Sequence, residues 1–379
     1  MGLTRPGIGA ISFAQNAGGV AYVGRLVRQV LIDAGADPLA IELGVERRDA
    51  AGPLRRARFA ARLTAAELLR QVDWMIFNHV GVARAHHAIP RPLRVPYAVF
   101  VHDIEAWDPH LDARRRDTLA SARLVIANSH YTAARVNAAH AGTVRAVGCP
   151  LGLFDDEVAS GAVDERLLAR CGPRAALIVG RVTSDERYKG HDELIDALPA
   201  VLAAVPDAQL VVAGWGDDVA RLRTKAEALG VGDAVIFAGY VSEATLAALL
   251  ARVAVYAMPS AREGFGLVYL EAMRAGVPCI GSTLDAAGEV IVDGETGFVV
   301  DRADGRSLSG ALIALLTDPV RRAAMGVAGQ RRFRAHFTYA HFRARLLPIL
   351  ARAFPGLAPA LPGGGDAIAA GEAVTALRA

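Results

Sequence analysis

The sequence predicts an α/β protein of two Rossmann-like, doubly wound domains that face each other across a cleft. Short apolar runs of strand length alternate with helical patterns: "IGAISF" then "GVAYVGRLVRQVLIDAG", "ARLVIANS" then "HYTAARVNAAHA", "AALIVG" then "HDELIDALPAVLAAV", "AQLVVAG" then "VARLRTKAEALG". That rhythm belongs to parallel βαβ units. The series occurs twice, on either side of the polar, glycine-containing connection "CPLGLFDDEVASGAVDE". A chain of 379 residues is also long enough for two separate cores. In such sheets ligands bind at the carboxyl ends of the strands.

These patterns place one domain at residues 1–165 and a second at 166–337. The helical segment "TYAHFRARLLPILARAF" (338–354) is expected to pack back on the first domain, and the Ala/Gly/Pro-rich residues 355–379 to be disordered. The composition is 53% hydrophobic, yet no stretch of about 18 apolar residues runs uninterrupted, which excludes an integral membrane protein. The start "MGLTRPGIGA" has no apolar segment of signal-peptide length, and Cys149, Cys171 and Cys279 are odd in number and widely spaced. Both point to a cytoplasmic chain with reduced thiols. A net charge of +3 is too small to argue for nucleic acid.

The stretch "EGFGLVYLEAM" (263–273) follows the apolar strand "VAVYAMP". A helix is expected to begin near Gly264 to Gly266 and to stop at Gly276, with Pro278 just beyond. Glu263 then ends the strand, and Glu271 lies up to eight helical rises further on, about 12 Å. Glycosidase carboxyls stand about 5 to 9.5 Å apart across one bond, so these two suit different parts of one extended ligand. Between them, the first-turn amides of Gly264, Phe265, Gly266 and Leu267 lack intrahelical partners and carry the positive end of the helix dipole, which suits an anion. A sugar nucleotide presents a hydroxylated sugar, a diphosphate and a ribose diol in that order. The spacing alone equally allows Glu263 as a dipole-favoured carboxylate at a helix start and Glu271 as a solvated face residue.

The longer segment "EGFGLVYLEAMRAGVPCIGS" resembles the donor-binding segment of the family 4 retaining glycosyltransferases, whose E-x7-E motif is followed by a helix end and Gly-x-Pro. The resemblance spans about residues 8–350 and includes "GRVTSDERYKGHDELIDAL", "VVAGWGDD", "FAGYVSEATLAALLARVAVYAMPS", "GEVIVDGETGFVV" and "ANSHYTAARV". It implies the GT-B fold. It also implies that Glu263 binds donor-sugar hydroxyls and Glu271 the nucleotide ribose.

In "LIVGRVTSDERYKGHDEL", Arg181 ends a strand and Lys189 immediately precedes a helix, where a cation is unfavourable unless an anion compensates it. Asp192 and Glu193 offer one compensation. The resemblance offers another, a donor diphosphate clamped by Arg181 and Lys189 and stabilised as it leaves. In "ISFAQNAGGVAYVGRL", Gly18 and Gly19 lie between a strand and a helix, either as a tight turn or as a loop that lets backbone approach a ligand. The resemblance sets them beside the donor phosphates. It also sets His102, at the strand end of "YAVFVHDIEAW", near the donor sugar, where an ordinary hydrogen-bonded histidine is the alternative.

"HDIE" and "DPHLD" offer oxygen and nitrogen ligands, but no Asp-x-Asp follows a strand and His86-His87 has no partner pair at ligand spacing. The expectation is therefore no cofactor and no metal, with GDP-mannose or a UDP-sugar as substrate. "ERRDAAGPLRRARFAARLTAAELLRQ" carries seven arginines against three acids, with Leu54, Phe59, Leu63, Leu68 and Leu69 interspersed. It reads as a solvated face or as a surface for anionic lipid headgroups at the inner face of a membrane.

The expected activity is retaining, metal-independent transfer of a hexose, mannose preferred, to a glycan or lipid-linked acceptor hydroxyl in polysaccharide assembly. "HDIEAW" looks like the segment of exopolysaccharide and lipid-linked oligosaccharide enzymes. The alternatives are a GT-B sugar-nucleotide epimerase or phosphorylase, and a non-catalytic nucleotide-sugar-binding subunit. A dehydrogenase reading is disfavoured because the Gly7 and Gly9 pair lies before the first strand and not after it.

Overall fold

The computed structural model describes residues 4–44, 52–155, 157 and 159–357. Six strands form the first sheet: β1 (Pro6–Ala10), β2 (Leu39–Glu42), β3 (Trp74–Phe77), β4 (Tyr97–Val101), β5 (Leu124–Ala127) and β6 (Ala146–Gly148). Six more form the second: β7 (Ala175–Val179), β8 (Gln209–Ala213), β9 (Val235–Gly239), β10 (Val255–Ala257), β11 (Cys279–Ser282) and β12 (Gly297–Val300). The spatial orders are β2-β1-β3-β4-β5-β6 and β12-β11-β10-β7-β8-β9, and strand pairs such as β1 with β3 and β7 with β10 run parallel. Helices cover both faces, so central strands such as "WMIF" and "VYA" are buried throughout and read as apolar runs rather than alternating ones.

The order of the second sheet reverses between β7 and β10. The chain winds one way through β8 and β9, then returns to lay β10, β11 and β12 on the other side. Loops leaving the carboxyl ends of strands diverge at such a point and leave a crevice between them. Here the diverging loops are 180–190, after β7, and 258–266, after β10.

One expectation needs correction. Gly7 and Gly9 do not precede the first strand; both lie inside β1. Their role is packing, since a Cβ on Gly7 would fall 2.2 Å from Met75 Sδ and one on Gly9 2.5 Å from Phe77 Cδ1. They let large residues of β3 pack close against β1.

The chain passes between the two units at residues 150–154 and again at 337–338, and these passages lie side by side. Leu153 N donates to Phe337 O at 2.8 Å, Leu153 bridges Thr338 in parallel, and a Cβ on Gly152 would meet Thr338 O at 2.5 Å. Arg345 donates to the carbonyls of Pro150 and Leu151. The helix Tyr339–Ala353 then runs over the first unit, where Phe354 stacks on Trp74 at 4.1 Å and Tyr339 Oη donates to Asp33 at 2.6 Å. Of the segment 355–379, residues 358–379 lie outside the described residues, as do Arg47 and Arg48 of the arginine-rich stretch.

Candidate active site

Lys189 ends a short 3-10 turn (Arg187–Lys189) in the loop after β7, and Gly190, at φ 99°, turns the chain into the helix His191–Ala204. Its ammonium lies 3.3 Å from Glu263 Oε2, both side chains being largely buried. Burial alone would depress the lysine, but Glu263, then Tyr188 and Glu186, outweigh it and hold its pKa above the ordinary value. Asp192 and Glu193 do not compensate Lys189: Asp192 pairs with Arg221 and Lys225, and Glu193 with Arg302. Arg181 sits beyond Gly180 with its guanidinium mostly exposed and paired to Glu186. Burial pushes the Glu186 carboxyl up, against the pull of Lys189 and Arg181.

Glu263 stands in the loop after β10, and the helix that follows is Leu267–Ala275, capped by Gly266 at φ 82° and closed by Gly276 at φ 78°. Among the described residues, the amides of Gly264, Phe265, Gly266 and Leu267 have no protein acceptor, as expected of a first turn without a side-chain cap. Phe265 itself is a core residue, edge-on to Phe337. Only its backbone faces the site. One turn on, Glu271 opens into a groove lined also by Tyr22, Glu157, Glu243, Leu246 and Arg274. The two glutamates thus address different spaces: Glu263 meets Lys189, and Glu271 borders this groove.

The first unit supplies the facing wall. Gly18, at φ 91°, caps the helix Gly19–Asp33 without a side-chain hydrogen bond. A Cβ on Gly19 would lie 3.5 Å from Leu267 Cδ1, so two helix N-termini meet across the gap. His102 follows β4, nearly buried, with Nε2 2.7 Å from Asn78 O. A carbonyl only accepts, so Nε2 carries the proton and the neutral ring keeps its lone pair on Nδ1. Burial lowers its pKa against opposing contributions from Asn78 and Asp103. The units also approach closely at Gly264, where a Cβ would fall 1.7 Å from His102 O. Thr132 Oγ1 donates to Gly264 O at 3.1 Å and lies 3.5 Å from His102 O.

The sequence reading weighed Asp103 and Glu105 of "HDIE" only as metal ligands, and it passed over Asp285. Glu105 accepts the amides of His102 and Asp103 at 2.7 and 2.8 Å. Burial, reinforced by Asp103, pushes it well up. Asp103 is lowered despite its burial, chiefly by the hydrogen bond from Glu105, so the two neighbouring carboxyls are pushed in opposite directions. A strand-end "HDIE" was the available signal. Asp285 accepts from Ala287 N at 2.9 Å and is pushed up to about 8, first by burial and also by Glu263. Nothing local marks it, because its burial beneath the Glu263 loop is set by tertiary packing.

A buried cation beside unpartnered helix-start amides, at a strand-order switch point, can hold a multiply charged anion. The flanking carboxylates can accept hydroxyl hydrogen bonds. Among the described residues no group of three or more His, Cys, Asp or Glu is arranged to hold a metal ion.

Residues 165–332 match the family model described as glycosyl transferases group 1. Over 169 residues the chain is 41% identical to a GDP-mannose-dependent monoacylated alpha-(1-6)-phosphatidylinositol monomannoside mannosyltransferase of Corynebacterium glutamicum, covering 43% of this chain and 44% of that one. Over 170 residues it is 39% identical to the GDP-mannose-dependent alpha-(1-6)-phosphatidylinositol monomannoside mannosyltransferase of Mycolicibacterium smegmatis, with the same coverage of 43% and 44%. The chain thus spans less than half the length of the relatives it matches. In fold it is similar to sucrose-phosphate synthase from Thermosynechococcus elongatus, with a TM-score of 0.76 at 22% identity over 92% of this chain and 98% of that one. An Anabaena protein solved in complex with UDP gives 0.69 at 18% identity over 91% and 100%. The fold is GT-B.

Proposed function

We propose, from the match of residues 165–332 to the glycosyl transferases group 1 model, that this chain is a retaining hexosyltransferase. It moves mannose from GDP-mannose to a hydroxyl of a phosphatidylinositol-type or other lipid-linked acceptor. The observation that carries this reading is the buried Lys189–Glu263 pair at 3.3 Å in the switch-point crevice, next to amides that have no protein acceptor among the described residues. The mannosyltransferase relatives supply the donor and the acceptor class.

In this reading Lys189, Arg181 and the amides of Gly264 to Leu267 hold the diphosphate, with Gly18 and Gly19 closing on it from the other unit. Glu263 accepts from sugar hydroxyls, Glu271 from the ribose, and His102 flanks the sugar. The anomeric C–O bond to the diphosphate breaks as the acceptor oxygen attacks the same face. The acceptor proton passes to the departing diphosphate oxygen, so the enzyme needs no nucleophile of its own, and the charge that develops falls on preorganised donors. An α-configured product from the α-configured donor, formed undiminished in EDTA, is expected by NMR of the first-formed anomeric proton. A β linkage, or activity lost to EDTA and restored by Mn²⁺, overturns this mechanism.

The division between the glutamates is testable with GDP alone. Glu271→Ala should weaken GDP and the intact donor alike, by about 1.5 to 3 kcal/mol per lost charge-assisted bond. Glu263→Ala should weaken the donor while sparing GDP. Equal losses in titration calorimetry would remove the assignment.

A peripheral site at the inner face of a membrane completes the proposal. No described helix is long and apolar enough to cross a bilayer. On the helix Pro53–Leu68, Phe59 and Leu63 are buried, while Arg55, Arg56, Arg58 and Arg62 are exposed together with Leu54 and Leu68. Reversing Arg55, Arg56 and Arg58 to Glu should release the protein from anionic vesicles and leave donor hydrolysis intact, an effect that added salt should mimic. Unchanged co-sedimentation would make this a solvated face.

A further inference from the structure

We infer that Glu289 is a positioning residue that clasps the second unit onto the first and sets the register of the two cleft walls. It belongs to the short helix Ala287–Val290, after β11. Its Oε2 accepts from His130 N at 3.0 Å and its Oε1 from Tyr131 N, the first two amides of the helix Ser129 caps in the other unit, His130–Ala139. Those amides have no partner within their own helix and carry the positive end of its dipole. Ser129 satisfies only Thr132 N, at 2.9 Å, which leaves the first two amides to a carboxylate from across the cleft.

The grip is double and firmly mounted. Tyr131 Oη donates to Leu284 O at 2.8 Å, so one turn of the first unit holds both ends of the 284–289 segment. Behind the clasp, Arg332 donates to the carbonyls of Glu289 and Val290, each at 2.8 Å, which fixes the backbone that carries the carboxylate.

Both ends of the clasp lead to the site. The helical turn that Glu289 caps also carries Thr132, which is fully buried and bonds Gly264 O while lying 3.5 Å from His102 O. The 284–289 segment reaches Glu263 through Ala286 N, which donates to Glu263 O at 3.1 Å. A shift at Glu289 therefore moves the His102 wall relative to the Lys189–Glu263 wall without touching either directly.

Wild type, Glu289→Ala, Glu289→Gln and Tyr131→Phe, each in the full chain, test the clasp. Small-angle scattering of Glu289→Ala should show a larger radius of gyration than wild type. Its affinity for GDP should stay within about twofold. Because hydrogen bonds to charged groups are lost, turnover in mannosyl transfer should fall by roughly 10-fold or more. Glu289→Gln, which keeps one carbonyl acceptor, should fall between the two in both size and turnover. Tyr131→Phe, which removes one hydroxyl, provides a milder variant should Glu289→Ala not fold. Wild-type scattering and turnover in Glu289→Ala would overturn the clasp. So would an expansion accompanied by lost GDP binding, which would mean that Glu289 serves the folding of its own unit. The turnover arm rests on the proposed transferase reading. If the wild type transfers nothing and binds no GDP, that reading fails while scattering still decides the clasp.

Discussion

Lys189→Ala is expected to lower turnover by roughly 10²-fold or more, the scale for removing one preorganised donor to a charge that develops in the transition state. The ammonium is nearly enclosed, yet its pKa lies above the ordinary lysine value because Glu263, Tyr188 and Glu186 outweigh its burial. It is therefore charged throughout the physiological range. Glu263 lies 3.3 Å away, so the alanine variant also leaves a partly buried carboxylate without its cation, which raises a second route to lost activity. Two further measurements separate the routes. Lys189→Arg keeps the charge but replaces a compact ammonium with a planar fork, and should recover part of the turnover. A thermal melt of Lys189→Ala close to that of wild type would assign the loss to chemistry. Turnover within threefold of wild type would remove Lys189 from the mechanism.

Gly264→Ala should be comparably damaging for a steric reason. The added methyl would fall 1.7 Å from His102 O and 3.1 Å from Asn128 Nδ2. The nearer obstacle is backbone at the end of β4, so it cannot swing aside as a side chain can. Either the 263–267 loop retreats or the two units separate. Overpacking of this kind costs about 1 to 3 kcal/mol, and spent on cleft alignment it corresponds to a turnover loss of roughly 10- to 10²-fold. Gly19→Ala makes the informative contrast, because its methyl would rest 3.5 Å from Leu267 Cδ1, an ordinary contact. A large activity loss there, at unchanged stability, would mean that a ligand needs the space. Gly264→Ala with near wild-type turnover would show that the two walls are not held as close as described.

The two sheets were legible because buried parallel strands and amphipathic helices have different periods, and nothing in this chain blurs the alternation. The helix boundary at Gly266 and Gly276 was legible for a local reason too, since both need positive φ. Compensation of Lys189 was not legible. Asp192 and Glu193 are close to it in sequence but turn to Arg221, Lys225 and Arg302, whereas the true partner lies 74 residues away. Asp285 stayed hidden because an ordinary turn carboxylate becomes unusual only when packing buries it. Gly7 and Gly9 misled because a glycine pair near a first strand suggests a loop, and only the partner side chains, Met75 and Phe77, reveal a strand interior.

The side-by-side passage of residues 150–154 and 337–338 has a mechanical consequence. Two separate tethers at distant points would brace the units against each other, and one tether would let them swivel in any direction. Two tethers joined by Leu153 N to Phe337 O and the Leu153–Thr338 bridge behave as a single pin of finite width. Twist and lateral slip between the units must break the bonds between the tethers. A relative movement of the two units that keeps those bonds must therefore turn about the pin.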